Sequence, residues 1–266
     1  MSDVIVFGNQ KGGVGKSTLS VLYALWLADV HRQSVGFIDL DSQGNASKTL
    51  RSHDCGELAA ELFEGGPHIA GFSHVETAGR RVSLFAASKR LADVELAKPE
   101  EVIPAFKDAV RALEEKFDAV IIDTPPALGL RMSAALIAAT RVVCPIELEE
   151  YSIDGVTDML KTVFGIRQRY NPRLELAGIV LNRFNAHSAR QKAAVQQLAA
   201  SYRDFVVPAR ISTRSAIPEA LAEGKAVWEL SKSSARDASL EVKEAFRVLH
   251  QRMQVPARPD QVGAPA

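Results

Sequence analysis

Residues 11–18, which read KGGVGKST, constrain the fold of this 266-residue chain more than any other stretch. An apolar run at residues 4–7 precedes them, and apolar side chains at helical spacing follow from Leu19 to Trp26. The pattern predicts a strand, a glycine-rich loop and a helix. This order of elements is typical of a loop that wraps a phosphate group with its backbone.

The residue types in the loop suit a bound triphosphate. Side chains at Gly12, Gly13 and Gly15 would keep the backbone N–H groups away from the ligand. The helix that begins near Lys16 directs its positive dipole end at the anion, and Lys16 itself would neutralise the β- and γ-phosphates. The hydroxyl of Ser17 would ligate Mg²⁺. We therefore expect a site for a nucleoside triphosphate and magnesium.

Two later apolar stretches end in carboxylates. Residues 34–41 end in Asp39 and Asp41, and residues 117–123 end in Asp123. The carboxyl ends of parallel strands meet at the ligand-binding crevice of an open α/β sheet. A buried strand that ends in aspartate can thus deliver a carboxylate to a magnesium shell, and Asp123 is the candidate for this position.

Helical patterns alternate with apolar strands along the rest of the chain. Helices are predicted at residues 57–63, 101–116, 132–139 and from 151 toward 170, and strands at 82–86, 176–183 and before 147. This alternation predicts an α/β fold with a doubly wound, mostly parallel sheet and helices on both faces. We expect a single domain over residues 1–255 and a short disordered tail over residues 256–266.

Composition restricts the class of protein. Hydrophobic residues make up 47% of the chain and charged residues 24%, and the formal net charge is +0. These values are typical of a globular protein that has no global field for nucleic acid or lipid. No apolar run approaches the ~18 residues of a membrane span, and the N-terminus lacks a signal sequence, so we expect a cytoplasmic protein.

The cysteines and histidines do not indicate a metal site. Cys55 and Cys144 lack metal-ligand spacing, and the apolar neighbours of Cys144 favour a core position. His53, His68 and His74 have no other ligand-like residues nearby, and we expect them on the surface or in loops.

Lys11 is unusual because a phosphate loop needs only one lysine to hold its own phosphates. With this second lysine, residues 11–18 resemble the deviant Walker A motif of the ParA/MinD ATPases. Residues 39–45, DLDSQGN, resemble the second motif of that family, with Ser42 in place of its usual proline, and residues 123–126, DTPP, match the pattern as well. The resemblance covers nearly the whole chain. It is closest to the ParA and Soj partition ATPases that lack an N-terminal helix-turn-helix domain, for which the chain leaves no room before its first strand.

The resemblance implies an ATPase whose active form is a homodimer with two ATP molecules between its subunits. Lys11 would reach the nucleotide of the partner subunit, while Lys16 would act in catalysis on its own nucleotide. The nucleotide contacts that the motif implies are Lys11, Gly12, Gly13, Val14, Gly15, Lys16, Ser17 and Thr18.

The resemblance also assigns roles to the carboxylates. Asp41 would activate the attacking water, and Ser17, Asp39 and Asp123 would hold Mg²⁺, with Asp39 acting through water. Aspartate is a weak base at neutral pH, so we expect slow intrinsic hydrolysis of ATP that a partner protein stimulates.

Two later segments are implied in adenine binding. Asn182 ends a predicted strand on the ligand side, where its amide could pair with a base edge. A loop at residues 205–208 would close over the ring through Pro208. A routine turn is the alternative for Asn182.

The C-terminal third of the chain is basic. Between His187 and Val255, eleven basic and seven acidic side chains give a net charge of +4. ParA proteins bind DNA without sequence preference through such residues once ATP has formed the dimer, which doubles the phosphate contacts. The candidates, which lie in or beside polar turns, are Arg210, Arg214, Lys232 and Arg236. A solvated charged face is the alternative.

The leading hypothesis is therefore an ATP-switched partition protein on the nucleoid, released by a ParB-like centromere- or cargo-binding partner. A MinD-like membrane-associated regulator is the alternative. It would use the apolar stripe of Val242, Phe246, Leu249 and Met253, although such a stripe more often packs in a core. A reductase ATPase with an iron–sulfur cluster between its subunits is a third possibility, but the two cysteines do not have the expected placement.

Overall fold

A computed structural model gives the structure of the chain and describes residues 2–65, 74–148 and 152–255. Its strands are β1 (Asp3–Phe7), β2 (Val35–Asp39), β3 (Asp54–Leu58), β4 (Glu76–Thr77), β5 (Arg80–Ala86), β6 (Ala119–Asp123), β7 (Arg141–Glu147), β8 (Glu175–Phe184) and β9 (Val206–Ser212). Its helices are α1 (Lys16–Val30), α2 (Asn45–Thr49), α3 (Leu91–Val94), α4 (Pro99–Glu114), α5 (Leu130–Ala138), α6 (Ser152–Arg169), α7 (Ala189–Tyr202), α8 (Ala216–Ala222) and α9 (Ser233–Gln254). Short 3-10 turns cover Arg51–His53, Ala59–Phe63 and Val227–Glu229.

The strands form one mostly parallel sheet, as the sequence predicts. Across the described residues the strand order is β3-β5-β2-β6-β1-β7-β8-β9, and β4 pairs antiparallel with the outer part of β5. β1 lies between β6 and β7, with Phe7 opposite Asp123, and Asp39 lies opposite Asp123 on the other side of β6. The carboxyl ends of β1, β2 and β6 therefore meet at one edge of the sheet.

Helices cover both faces of this sheet and produce two hydrophobic cores. Val4 and Val6 of β1 point to the core that α4, α5, α6 and α7 cover. Ile5 and Phe7, the alternate residues of the same strand, point to the core that α1, α8 and α9 cover. This two-sided burial explains why the strands read as continuous apolar runs in the sequence. The prediction of helices on both faces is confirmed.

Helix α9 packs its apolar stripe into the second core. Val242, Phe246, Leu249 and Met253 are all buried there, against β9 and α1. The stripe is thus part of the core, as the sequence interpretation favoured. No helix among the described residues has the length and apolarity needed to cross a bilayer.

The segment after α2 differs from the sequence prediction. Glu57 and Leu58 end strand β3, and only Ala59–Phe63 is helical, as a 3-10 turn. The prediction of one amphipathic helix over residues 57–63 is wrong because β3 pairs with β5, where Leu58 lies opposite Ala86. This pairing is between segments distant in sequence and leaves no local signal.

The expectation for the histidines is also wrong in part. His53 is buried, with only 3% of its surface exposed, because β5 covers the 3-10 turn that carries it. His74 is exposed, and His68 lies outside the described residues, as does the predicted tail at 256–266. Cys144 is fully buried within the sheet, as expected, and Cys55 is half-buried on an outer strand. The buried position of Cys144 does not suit a cluster shared between subunits.

Candidate nucleotide-binding site

The loop between β1 and α1 has a backbone that glycine permits. Gly13 and Gly15 have φ angles of +79° and +93°, in the left-handed region that side chains disfavour. A Cβ atom at Gly15 would lie 2.1 Å from Nδ2 of Asn182. Helix α1 starts at Lys16 without a side-chain cap, so its first N–H groups face the loop. This geometry suits an anion.

Two asparagines hold the loop in place. The amide nitrogen of Asn9 donates to the carbonyl of Pro145 at 2.8 Å, and its oxygen accepts from the N–H of Lys11 at 2.9 Å. Asn182 donates from Nδ2 to the carbonyl of Val14 at 2.9 Å. Sequence reasoning missed Asn9, whose only signal is its position directly before the glycines. For Asn182 the structure gives a loop-holding contact, and its adenine contact stays a prediction.

Lys16 is buried inside the loop. Its surface is 6% exposed, and its Nζ donates to the carbonyl of Lys11 at 3.2 Å. Burial lowers the pKa of Lys16, and the negative charges of Asp123 and Asp41 oppose this shift. A buried ammonium between a loop and two carboxylates is suited to phosphate oxygens. Lys11 itself is half-buried at the front of the loop.

The other predicted loop residues divide by exposure. Gly12 and Gly13 are exposed, whereas Val14 is buried in the wall of the loop. Ser17 and Thr18 lie half-buried in the first turn of α1.

Asp123 ends β6 with an orphaned carboxylate. Both of its oxygens are buried, and neither has a hydrogen-bond partner among the described residues. Burial raises the pKa of Asp123 well above its usual range, and the neighbouring Asp39 adds to the shift. The nearby hydroxyl of Ser17 opposes this rise in the pKa of Asp123.

These groups fit a magnesium ion. A buried carboxylate without a donor is costly unless a cation approaches it. Mg²⁺ binds through one or two protein oxygens and completes its shell with water and phosphate oxygens. Ser17 and Asp123 match that donor set. No group of three or more acidic, histidine or cysteine side chains suited to a metal occurs within the described parts of the chain.

Asp39 is engaged differently. Its Oδ2 accepts from the backbone N–H and hydroxyl of Ser47 at 2.8 Å and 2.6 Å, and its Oδ1 accepts from the N–H of Asp41 at 3.1 Å. Burial raises the pKa of Asp39 to about 6, although the donors from Ser47 oppose the shift. Asp39 therefore organises the loop that carries Asp41. Ser47, which also accepts from the N–H of Ala87, was missed by sequence reasoning.

Asp41 lies on the open side of this loop. Its carboxylate is partly exposed and accepts from the N–H of Gln43 at 3.0 Å. It also lies close enough to Lys16 to raise the pKa of that lysine against the effect of burial. The structure thus brings Asp39, Asp41 and Asp123 to the phosphate loop, as the sequence predicts.

The segment of Pro208 is a strand, which corrects the expectation of a loop over residues 205–208. Strand β9 begins at Val206, and Pro208 lies within it, on an exposed position. Pairing with β8 extends this strand, and local sequence does not reveal that pairing. Pro208 lines a cavity of about 660 Å³ with Arg141 and Glu175, which begin their strands at the opposite end of the sheet.

The four predicted DNA contacts are not equivalent. Arg210 is exposed and lies over the ring of Phe184 at 4.8 Å. Arg214 pairs with Glu241 at 2.6 Å, and Lys232 pairs with Glu219. Arg236 is exposed, and its side chain forms no ion pair or hydrogen bond within the described residues. The four cations, in chain order, are Arg210, Arg214, Lys232 and Arg236.

Comparison with known proteins places the chain in a family. A family model described as an AAA domain matches residues 2–176. Protein IncC of Escherichia coli is 36% identical over 256 residues, which cover 94% of this chain and 70% of IncC. The chromosome partitioning protein ParA of Myxococcus xanthus is 31% identical over 229 residues, which cover 84% of this chain and 80% of that protein. The chain belongs to the ParA family.

A solved structure has the same fold. The cobyrinic acid a,c-diamide synthase of Mycobacterium smegmatis with bound ADP and magnesium is 26% identical to the chain. It aligns with a TM-score of 0.75 over 97% of each chain. The same fold therefore extends over nearly the whole chain. The chain is an ATPase of the ParA type, and its relatives include chromosome partitioning proteins.

Proposed function

We propose that this ParA-family chain is a DNA partition ATPase that dimerises on ATP, binds DNA without sequence preference and is released when a partner stimulates hydrolysis. The observation that carries the proposal is the meeting of a two-lysine phosphate loop with three aspartates at one edge of the sheet. The chromosome partitioning relatives support the same function.

The polar groups of the site have distinct tasks in this proposal. Lys16 gives up its contact with the Lys11 carbonyl and binds phosphate oxygens. Ser17 and Asp123 hold Mg²⁺, which, when bound, supplies positive charge against the phosphates. Asp41 accepts a proton from the attacking water because its carboxylate, unlike that of Asp39, is accessible from the open side. An aspartate is a weak base at neutral pH, so turnover is slow without a partner.

DNA binding belongs to the C-terminal cations. Arg236 is the leading candidate because its guanidinium is exposed and forms no ion pair within the described residues. Arg214 and Lys232 must first leave Glu241 and Glu219, which weakens their contribution. A homodimer presents each cation twice, and affinity for DNA rises steeply with the number of phosphate contacts.

A mobility shift with random-sequence duplex DNA tests the proposal. We expect a shift with ATP and Mg²⁺, no shift with ADP, and a steep loss of affinity for DNA as the salt concentration rises.

Two variants test which cations bind the DNA. Arg236→Ala should weaken the complex with DNA more than Arg214→Ala does, and ATP turnover should be unchanged in both variants. DNA binding of equal strength with ATP and with ADP would contradict the proposed control of DNA binding by ATP. Sedimentation with anionic liposomes in place of DNA would instead support a MinD-like regulator.

Asp41→Ala tests the catalytic assignment. This variant should still bind ATP and DNA, while phosphate release falls by roughly 100-fold or more, the usual effect of losing a general base. Phosphate release at the wild-type rate would remove Asp41 from the reaction.

A further inference from the structure

Arg131 links the start of α5 to the loop that carries Asp41. This arginine is 9% exposed, and one of its terminal nitrogens donates to the carbonyl of Leu40 at 2.8 Å. Its Nε donates to a carboxylate oxygen of Glu95 at 2.7 Å. The guanidinium therefore bridges an acidic side chain and the backbone directly before Asp41.

The peptide unit that Arg131 contacts is the one that sets the direction of Asp41. The carbonyl of Leu40 and the N–H of Asp41 belong to a single planar group. Arg131 holds the oxygen of this group, and Asp39 accepts from its N–H at 3.1 Å. The preceding N–H, that of Leu40, donates to the carbonyl of Asp123 at 2.9 Å. Rotation of the backbone at Leu40 and Asp41 is thus restrained from three sides.

Glu95 fixes Arg131 in turn. Its second carboxylate oxygen accepts from the N–H of Leu130 at 2.7 Å, in the first turn of α5. A Cβ atom at Gly129 would lie 2.4 Å from this carboxylate, so the glycine leaves the space that Glu95 fills. Glu95 follows α3, which makes the bridge a contact between α3, α5 and the end of β2.

We propose that Arg131 is a positioning residue for ATP hydrolysis. Arg131 holds the Leu40–Asp41 peptide so that the carboxylate of Asp41 faces the attacking water, and Glu95 holds Arg131 in place. The proposal rests on the proposed ATPase function. Among the described residues, the side-chain hydrogen bonds of Arg131 go to Glu95 and to the carbonyl of Leu40, so it acts on Asp41 through the backbone. Misplacement of a reacting group by about 1 Å can cost on the order of 100-fold in rate.

Single-turnover hydrolysis of Mg–ATP and equilibrium binding of ATP, measured on the same variants, test this role. Arg131→Leu should lower the hydrolysis rate by about 10-fold or more, while ATP affinity stays within about threefold. Arg131→Lys should recover part of the rate, since its ammonium reaches one of the two partners. Glu95→Gln should fall between Arg131→Lys and the wild type.

Arg141→Leu is the matched control. Arg141 is also largely buried and pairs with a single carboxylate, Glu175, but it starts β7 at the opposite end of the sheet. The Arg141→Leu variant should be less stable than the wild type and should hydrolyse ATP at the wild-type rate. Hydrogen exchange gives a second readout. The backbone amide of Asp41 should exchange faster than in the wild type in Arg131→Leu and Glu95→Gln, and at the wild-type rate in Arg141→Leu.

The outcomes separate the positioning role from the function on which it rests. Suppose that the wild type hydrolyses ATP and Asp41→Ala does not. If Arg131→Leu and Glu95→Gln then hydrolyse ATP at the wild-type rate, the positioning role of Arg131 is overturned and the proposed ATPase function is not. A loss of rate shared with Arg141→Leu, or matched by an equal loss of ATP affinity, also overturns it. Absence of hydrolysis in the wild type overturns the proposed function first. If Arg131→Leu does not fold, Glu95→Gln and Arg131→Lys carry the test.

Discussion

Asp39 and Asp123 lie opposite each other on adjacent strands but serve different purposes. Asp39 spends both oxygens on Ser47 and the N–H of Asp41, whereas both oxygens of Asp123 lack donors within the described residues. The difference comes from the neighbouring groups, because Ser47 of α2 and the N–H of Asp41 donate to Asp39, whereas no described group donates to Asp123. The first carboxylate shapes the site, and the second is suited to a cation.

His53 offers a residue-scale prediction of pH dependence. Burial lowers the pKa of its imidazole, and the charge of Arg80 adds to the shift. His53 therefore binds a proton more readily in the unfolded chain than in the folded chain. The stability contributed by neutral His53 is present above about pH 6.5 and is lost as the pH falls below that value. We expect the wild type to lose more unfolding free energy than His53→Gln between pH 7.5 and pH 5.5 in urea titrations. His74→Gln, which changes an exposed ring, should follow the wild type, and equal losses in all three proteins would contradict the prediction.

At the residue scale, the sequence predicts most of the site. The spacing of Lys16 and Ser17 in the loop, and the aspartates at strand ends, are local signals that survive folding. Asn9, Ser47 and Arg131 escape sequence reasoning because their roles depend on partners far along the chain, such as Pro145 and Leu40. His53 escapes for the same reason.

At the scale of elements, an ion-pair network around Arg80 joins three segments. Arg80 of β5 donates to Asp29 of α1 at 2.6 Å and pairs with Glu229, which precedes α9, at 2.9 Å. Asp29 also accepts from the indole N–H of Trp228 at 2.8 Å. The network attaches the C-terminal helix region to the first helix of the chain.

Arg80→Met should destabilise the fold by about 2–3 kcal/mol, because it leaves the carboxylates of Asp29 and Glu229 facing each other without a cation. The expected loss is smaller than the roughly 3–5 kcal/mol that is usual when a fully buried pair is broken. The reason is that the side chains of Asp29 and Glu229 are 23% and 32% exposed. Urea unfolding followed by circular dichroism measures the loss. Arg81→Met, one residue away and exposed, should cost much less; equal effects would show that Arg80 has no special role.

The elements that the sequence predicts best are the helices and the central strands. Periodicity places α4, α5 and α6 within a few residues of their bounds, because one face of each helix is apolar. Strands β3 and β9 were missed as strands, since each depends on pairing with a single neighbour in the described sheet. Outer strands carry weak apolar patterns, so the sequence does not distinguish them from turns and loops.

At the scale of the whole molecule, the proposed dimer makes a prediction for Lys11. Lys11→Ala should weaken ATP-dependent dimerisation by roughly 10-fold or more, since a hydrogen bond to a charged group contributes about 1.5–3 kcal/mol. Light scattering in the Asp41→Ala background, which retains ATP, measures the dimer content. Lys98→Ala, an exposed lysine paired with Glu101, serves as the control. Unchanged dimer content in Lys11→Ala would exclude a role across the interface.

The place of β1 in the sheet has a consequence for biosynthesis. This strand pairs with residues 119–123 and 141–143, which the ribosome adds long after it. Until β7 has emerged from the ribosome, β1 can pair with a strand on one side only. Asn9, which holds the phosphate loop, then has no Pro145 carbonyl to contact. Topologies that depend on such distant pairing fold slowly. A chain that ends before β7 therefore lacks the contact that holds Asn9 and the phosphate loop, and we expect that it does not bind nucleotide.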